Sequence, residues 1–99
     1  LLTGDISTKI EHELVERKLL NDVDVLKVGH QGSKTSTGEE LLNTTKPEMA
    51  VISVGRNNRY GHPDYEVVNR LERRGIEVLR TDKDGDVTIL SDGMEYWVE

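Results

Sequence analysis

The most apolar stretch of the chain reads Met49-Ala50-Val51-Ile52-Ser53-Val54. Its apolar side chains are nearly continuous rather than alternating, which is typical of a strand that is covered on both faces. Strands of this kind occur almost only in parallel sheets that carry helices on their faces. The stretch therefore predicts an α/β fold with this strand inside the sheet.

Strand and helix patterns alternate on both sides of this stretch. Strands are predicted at residues 1–3, 23–28, 49–54, 76–79, 87–90 and 94–98, the last two as a hairpin. Between them, helices are predicted from Thr8 to about Leu20, from about residue 38 to a point before Pro47, and from Pro63 to Gly75. A turn is predicted at residues 82–85. The order is β-α-β-α-β-α-β-β-β, in a single domain of residues 1–99 with right-handed crossovers.

Three residue pairs have the spacing of a helix capping box. In this arrangement a hydroxyl and an acidic side chain three residues later satisfy each other's backbone N–H groups. Thr8 with Glu11 predicts the start of the first helix. The second helix has two candidate boxes: Ser36 with Glu39, and Thr37 with Glu40.

The composition excludes several classes of protein. The formal net charge is −6, which argues against a general nucleic-acid coat, since such a coat would be basic. The chain contains no Cys, which excludes disulfides and thiolate metal ligands. No apolar run approaches the roughly 20 residues of a membrane-spanning helix. The N-terminus has no signal-peptide pattern and begins within a predicted strand, so we expect an excised fragment.

Three residues with metal-binding side chains follow predicted strands. Asp5, His30 and His62 each lie in a glycine-containing turn. Functional groups of open α/β sheets gather beyond the carboxyl ends of the strands. Carboxylate and imidazole together are a common ligand set for Zn²⁺, Mn²⁺ or Fe²⁺. The alternative is structural: Asp5 caps the first helix, His30 bonds to backbone, and His62 caps the third helix.

The loops around these residues reverse the charge of the chain. Residues 25–38 and 49–63 contain no acid, and they carry Lys27, Lys34, Arg56 and Arg59. Hydroxyls and a helix N-terminus accompany Lys34 in the segment 33–37, an arrangement that favours an anion such as phosphate. Asn57, Asn58, Arg59 and Tyr60 could contact a phosphate backbone. The alternatives are a solvated capped loop and an ordinary turn.

Several ordered segments resemble one protein family. They are residues 1–5 (LLTGD), 24–37 (DVLKVGHQGSKTST), 50–55 (AVISVG), 57–63 (NNRYGHP) and 80–82 (RTD). Together they resemble the late motifs of the metallo-hydrolase domain of ComEC/Rec2 DNA-uptake proteins, over nearly the whole chain. The resemblance implies the second αβ half of a metallo-β-lactamase αββα sandwich. It also implies a competence protein that takes up DNA for natural transformation, with phosphodiesterase or nuclease activity.

The resemblance assigns roles to individual residues. It implies Asp5, His30 and His62 as ligands of a divalent metal, Zn or Mn, in the complete domain. Catalytic roles fall on His30 and Lys34. Substrate contacts fall on Ser33, Thr35, Ser36, Asn57, Arg59 and Tyr60. The chain departs from the family at Gln31, where a second His is usual; glutamine can hydrogen-bond but cannot shuttle a proton at neutral pH.

The family's primary metal-binding run, His-x-His-x-Asp-His, does not occur in this chain. The resemblance places it in a preceding half of the same domain. We therefore expect the chain alone to bind no metal, to be inactive and to expose apolar sheet surface that a second copy could cover. The implied partner of the complete domain is DNA, single-stranded by expectation.

The resemblance also implies a parent protein in the bacterial cytoplasmic membrane, with this domain outside the bilayer on the extracytoplasmic side. Two other interpretations remain open from the sequence. One is a stand-alone metallo-hydrolase with another substrate. The other is a degenerate module that binds DNA or a protein without catalysis, with Gln31 marking the loss of chemistry.

Overall fold

A parallel three-stranded sheet forms the centre of the molecule, in a computed structural model that describes residues 1–99. The strands lie in the order β1 (Val25–Lys27), β2 (Met49–Ile52) and β3 (Glu77–Arg80). Leu2 adds an isolated parallel bridge to Lys27, beside β1. The predicted α/β class is confirmed, and the apolar stretch is the middle strand. The αββα sandwich stays a prediction.

Four helices connect and flank these strands. They are α1 (Thr8–Glu16), α2 (Glu39–Thr45), α3 (Tyr65–Arg73) and α4 (Thr81–Asp84), and an antiparallel hairpin of β4 (Ile89–Ser91) and β5 (Tyr96–Val98) follows. The predicted alternation of strands and helices is confirmed, apart from residues 1–3, which form only a bridge, and from α4, which the predicted order lacks. The prediction of a helix to about Leu20 was wrong, because α1 ends at Glu16. The turn predicted at residues 82–85 is largely the single helical turn α4.

One face of the sheet carries the main hydrophobic core. The register pairs Leu26 with Ala50 and Ala50 with Val78, which places these residues on the same face. Leucines and valines of α2 and α3 pack against this face. The core consists of Leu26, Val28, Leu41, Leu42, Ala50, Ile52, Val54, Val67, Leu71 and Ile76.

The opposite face of the sheet is less well covered. Val25, Lys27 and Val51 are only half-buried. Together with Leu1, Leu2, Val87 and Ile89 they line an open groove of about 320 Å³. The expectation that the middle strand is covered on both faces is therefore met by the helices on one side and only partly by the hairpin on the other.

The predicted capping boxes were wrong. The N-cap residues of α1 and α2 are Ser7 and Gly38, and neither uses a side chain to cap its helix. Glu11 is buried and bonds to a different helix. The hydroxyl of Ser36 donates to the carbonyl of Ile6. Glu11 and Ser36, which local spacing predicted to cap helices, thus make hydrogen bonds to distant parts of the chain instead.

Pro63 is not the first residue of α3, so that prediction was also wrong. The N-cap is Asp64, whose carboxylate accepts the N–H of Glu66 at 2.9 Å. Pro63 instead packs against Gly32: a Cβ built on Gly32 would lie 2.5 Å from the Pro63 Cβ. The N–H of Asp64 donates to the Gly32 carbonyl at 2.8 Å. The loop before α3 is therefore shaped by its neighbour in space.

None of the helices combines the length and the hydropathy that a membrane span requires.

Candidate metal centre

The three predicted ligand residues line one cavity at the carboxyl ends of the strands. Asp5, His30 and His62 come from three different loops and surround a cavity of about 380 Å³. Gln31 and Tyr60 complete its lining. The structure thus brings together residues that are up to 57 positions apart in sequence, as expected for an edge where parallel strands end.

The loop that carries His30 has an unusual backbone. His30 and Gln31 both adopt left-handed conformations, with φ of 51° and 56°. Non-glycine residues rarely enter this region, and they remain there only when surrounding contacts hold them. Such contacts are present: the His30 N–H donates to the Gly4 carbonyl at 2.8 Å, and the Ser33 N–H donates to the His30 carbonyl at 3.0 Å. The loop is therefore fixed to the loop of Asp5.

Two glycines allow the loops to approach one another. A Cβ on Gly29 would lie 2.9 Å from the Thr3 hydroxyl oxygen and 3.3 Å from the Ser36 Cβ. A Cβ on Gly32 would meet Pro63, and the φ of Gly32 is +84°. Both positions exclude larger side chains because neighbouring chain segments occupy the space.

The imidazole of His30 contains an unsatisfied buried atom. Its Nδ1 is inaccessible to solvent and has no hydrogen-bond partner. Buried polar atoms without partners are rare in proteins, since each one loses its bonds to water without replacement. The His30 ring meets that of His62 edge to face, with centroids 5.9 Å apart.

The backbone of His62 is held by Asn58. The Asn58 amide nitrogen donates to the His62 carbonyl at 2.6 Å, and its oxygen accepts the His62 N–H at 2.9 Å. The same nitrogen reaches the Gly55 carbonyl at 3.1 Å. The rings of Tyr60 and His62 stack with centroids 5.9 Å apart. Sequence reasoning considered Asn58 only as a phosphate contact or a turn residue, and missed this positioning role.

None of the three predicted ligands performs the structural role considered as an alternative. The cap of α1 is at Ser7 and that of α3 is at Asp64, so neither Asp5 nor His62 is a helix cap. The imidazole of His30 makes no bond to backbone, since its Nδ1 is unpartnered and no other ring contact is a hydrogen bond.

The hydroxyl residues predicted to contact substrate lie mostly within the protein. Ser33 is buried, and its hydroxyl bonds to that of Thr35 at 2.9 Å and accepts the Thr35 N–H at 3.3 Å. Ser36 is fully buried with its hydroxyl on Ile6. Within this chain, Ser33 and Ser36 shape the loop, while the Thr35 side chain lies near its surface.

The predicted cationic residues are exposed and unpaired. Lys34, Arg56 and Arg59 are all exposed, and none forms an ion pair. The guanidinium of Arg59 lies 5.5 Å from the centroid of the Tyr60 ring, beside the cavity. Asn57 is exposed in the same loop. Arg59, a cation without an acidic partner beside this polar cavity, favours an anionic ligand there.

The donor set fits a divalent metal by type but is incomplete in number. One carboxylate and two imidazoles are suitable ligands for Zn²⁺ or Mn²⁺. The ligand atoms of Asp5, His30 and His62 are not all within 4.8 Å of one another; the one set that meets this distance is the exposed group of His12, Glu16 and Glu40. A metal in the cavity would need further ligands from outside this chain.

Three proteins of known name contain a segment similar to this chain. ComE operon protein 3 of Bacillus subtilis (strain 168) is 48% identical to it over 87 residues. Recombination protein 2 of Haemophilus influenzae is 45% identical over 89 residues. Competence protein ComA of Neisseria gonorrhoeae is 47% identical over 88 residues. The matches cover 86–90% of this chain but only 11–12% of each relative. No family model matches the chain.

Proposed function

We propose that this chain is a segment of a ComEC/Rec2-type competence protein, and that its cavity belongs to a metal-dependent phosphodiesterase acting on single-stranded DNA. The homologous segments in proteins named for competence and recombination support the assignment to DNA uptake. The hydrolytic activity rests on the site. Its main support is the convergence of Asp5, His30 and His62 on one cavity.

A divalent metal in this cavity would activate water and polarise a phosphodiester oxygen. The chain's own residues then divide the remaining tasks. Asp5, His30 and His62 would hold the metal, together with ligands from outside this chain. Lys34 and Arg59 neutralise the phosphate oxygens that the metal does not contact. Gln31, which lines the cavity, orients substrate by hydrogen bonds and transfers no proton.

The remaining ligands come, in this proposal, from a preceding half of a metallo-β-lactamase αββα sandwich. The open groove of Leu1, Leu2, Val25, Val51, Val87 and Ile89 supports a second apolar layer, because the chain leaves these side chains only partly covered. The chain by itself is then inactive. The parent protein is anchored in the bacterial cytoplasmic membrane, with this domain on its extracytoplasmic side.

A non-catalytic DNA-binding module is the second candidate. It is favoured by two observations: the metal-binding atoms in the cavity are not gathered within 4.8 Å, and Gln31 stands at the position where the resembled family has a second histidine. In that case the exposed Lys34, Arg56 and Arg59 would bind the phosphate backbone without cleaving it.

The test measures cleavage of a labelled single-stranded oligonucleotide by the longer protein that contains this chain, with Mn²⁺ or Zn²⁺. Asp5→Asn, His30→Gln and His62→Gln should each abolish cleavage. Asp22→Asn is the matched control for Asp5→Asn, because Asp22 is exposed and lies outside the cavity. Unchanged cleavage in the three cavity variants would refute the proposed site. Binding without cleavage in the unaltered protein would support the second candidate.

A further inference from the structure

Glu11 is a buried carboxylate with no cationic partner. It is 1% exposed and is the one buried residue of α1. No ion pair of the molecule includes it. Burial of an unpaired charge is unfavourable unless hydrogen bonds replace the lost water. The bonds that Glu11 makes therefore indicate why an acid is present inside the protein.

The two oxygens of Glu11 accept two backbone N–H groups from another part of the chain. Oε2 accepts from Thr37 at 2.6 Å, and Oε1 accepts from Gly38 at 2.9 Å. These groups lie at the start of α2, where the N-cap Gly38 has no side chain to cap the helix. Glu11 thus clamps the end of the loop that begins at Gly29.

Thr37 connects the hydrogen bonds of Glu11 to the loop that carries His30. It is fully buried and adopts a φ of 54°, which is unusual for a β-branched residue. Its hydroxyl oxygen accepts the N–H of Gly29 at 3.1 Å, and its carbonyl accepts a bond from Arg70 at 2.8 Å. Gly29 directly precedes His30, so the hydroxyl of Thr37 fixes the backbone from which the His30 imidazole extends.

The space around Gly29 leaves little freedom for a different arrangement. Its α-carbon faces the hydroxyl of Thr3 and the Cβ of Ser36 so closely that a methyl group would not fit. If Thr37 shifts, the N–H of Gly29 loses its buried acceptor, and the backbone next to His30 loses this constraint. The chain of contacts is therefore short and directional: Glu11, Thr37, Gly29, His30.

We propose that Glu11 is a positioning residue for the candidate metal centre, acting through the hydroxyl of Thr37 to hold His30 at the cavity. This inference rests on the proposed metal role of His30. It goes beyond the ligands themselves, because Glu11 lies on a different helix and does not line the cavity.

The test is a double-mutant cycle read by the Zn²⁺ affinity of the longer protein that contains this chain. Glu11→Gln keeps the side-chain volume but leaves one acceptor oxygen for two N–H groups. Thr37→Val keeps the β-branched shape and removes the acceptor of the Gly29 N–H. Residues that orient metal ligands typically change affinity about 10–100-fold. Each variant should therefore weaken Zn²⁺ binding by at least about 10-fold, and the double variant should be no weaker than the worse single variant.

Three controls separate positioning from simple destabilisation. Thr37→Ser restores the hydroxyl and should recover most of the affinity. Glu13→Gln changes an exposed acid of the same helix and should have no effect. Leu42→Val destabilises the core through an apolar side chain that takes no part in these hydrogen bonds, and it should lower the unfolding temperature without changing Zn²⁺ affinity.

A metal-free measurement keeps the outcome independent of the proposed function. Hydrogen exchange of the Gly29 amide should accelerate at least about 10-fold in Glu11→Gln and Thr37→Val, with altered His30 imidazole resonances, and not in Leu42→Val. If the unaltered chain binds no Zn²⁺ even in the longer protein, the metal role fails, and the exchange data still decide the positioning. Affinity and exchange that follow only the unfolding temperature would overturn the proposal.

Discussion

The two faces of the sheet are built from alternate residues of the same strands, yet they differ in how completely they are covered. On β1, Leu26 is fully buried beneath the helices, while its neighbours Val25 and Lys27 are half-buried. On β2, Ile52 is fully buried and Val51 is not. One face is a finished core, and the other ends in a groove of about 320 Å³.

This difference shows that apolar composition alone does not report coverage. Val25 and Val51 are as apolar as the residues of the core, and the sequence assigned the middle strand to the interior on both sides. The helices satisfy that requirement on one side only. On the other side, apolar side chains stay partly exposed, which indicates a surface suited to contact with a further apolar layer.

The largest expected effect comes from truncating the covered face. Leu26→Ala should destabilise the chain by about 2–5 kcal/mol, because a fully buried leucine leaves a cavity. Its control is Val25→Ala on the adjacent position of β1, which should cost only about 1 kcal/mol because Val25 is half-buried. Urea unfolding monitored by circular dichroism measures both. Equal losses at the two positions would contradict the difference between the faces.

A smaller loss of stability is expected from a substitution of Thr81, which bonds to the backbone of the core residue Val54. The hydroxyl of Thr81 accepts the N–H of Val54 at 2.8 Å and donates to the Val54 carbonyl at 2.9 Å. Thr81→Val preserves the shape and leaves both backbone groups without this partner, at a cost of about 1–3 kcal/mol. Thr81→Ser, which keeps the hydroxyl, is the control for chemical denaturation. A neutral Thr81→Val would mean that water replaces both bonds.

On the open face, the expected effect of a substitution on stability depends on whether a further layer of the protein covers that face. Val51→Thr exchanges a methyl group for a hydroxyl and should change the stability of this chain by about 0.5 kcal/mol or less, since Val51 remains partly solvated. In the longer protein the same substitution should cost about 1 kcal/mol or more if a second apolar layer buries the hydroxyl. Thermal unfolding of both proteins tests this. The same small effect in each would argue against a covering layer.

The smallest expected effect lies on the outer surface of the helices. The hydrogen bond with Glu40 and its negative charge, with further help from Glu16 and Glu13, raise the pKa of His12 above 6.5. A raised pKa in the folded protein means that protonation favours the fold. This stabilisation is complete below about pH 6.5 and disappears as the pH rises through the raised pKa.

The measurement is a pH titration of the His12 imidazole resonances by NMR. Glu40→Gln should return the pKa of His12 towards its ordinary value and flatten the pH dependence of the unfolding temperature. A titration of His12 that is unchanged by Glu40→Gln would show that the bond between α1 and α2 contributes nothing in solution.

The elements could be predicted from sequence because their patterns are local. Residues 49–54 predicted a strand inside the sheet, and the positions of Asp5, His30 and His62 after strands predicted that they meet at one edge if those strands are neighbours. The helix caps could not be predicted in this way. Glu11 has the spacing of a capping box with Thr8, but its carboxylate bonds to residues 26 and 27 positions away.

By itself, the sequence determined the class of fold, the order of the elements and the residues that meet at the cavity, because periodicity and strand-end position are local properties of the chain. Only the tertiary structure decided which polar side chains hold the loops of the cavity by hydrogen bonds and which polar atoms are left without a partner. Asn58 and Glu11 hold the loops, whereas the buried Nδ1 of His30 is left without a partner. Hydrogen bonds between distant segments depend on three-dimensional proximity, and no local pattern encodes them.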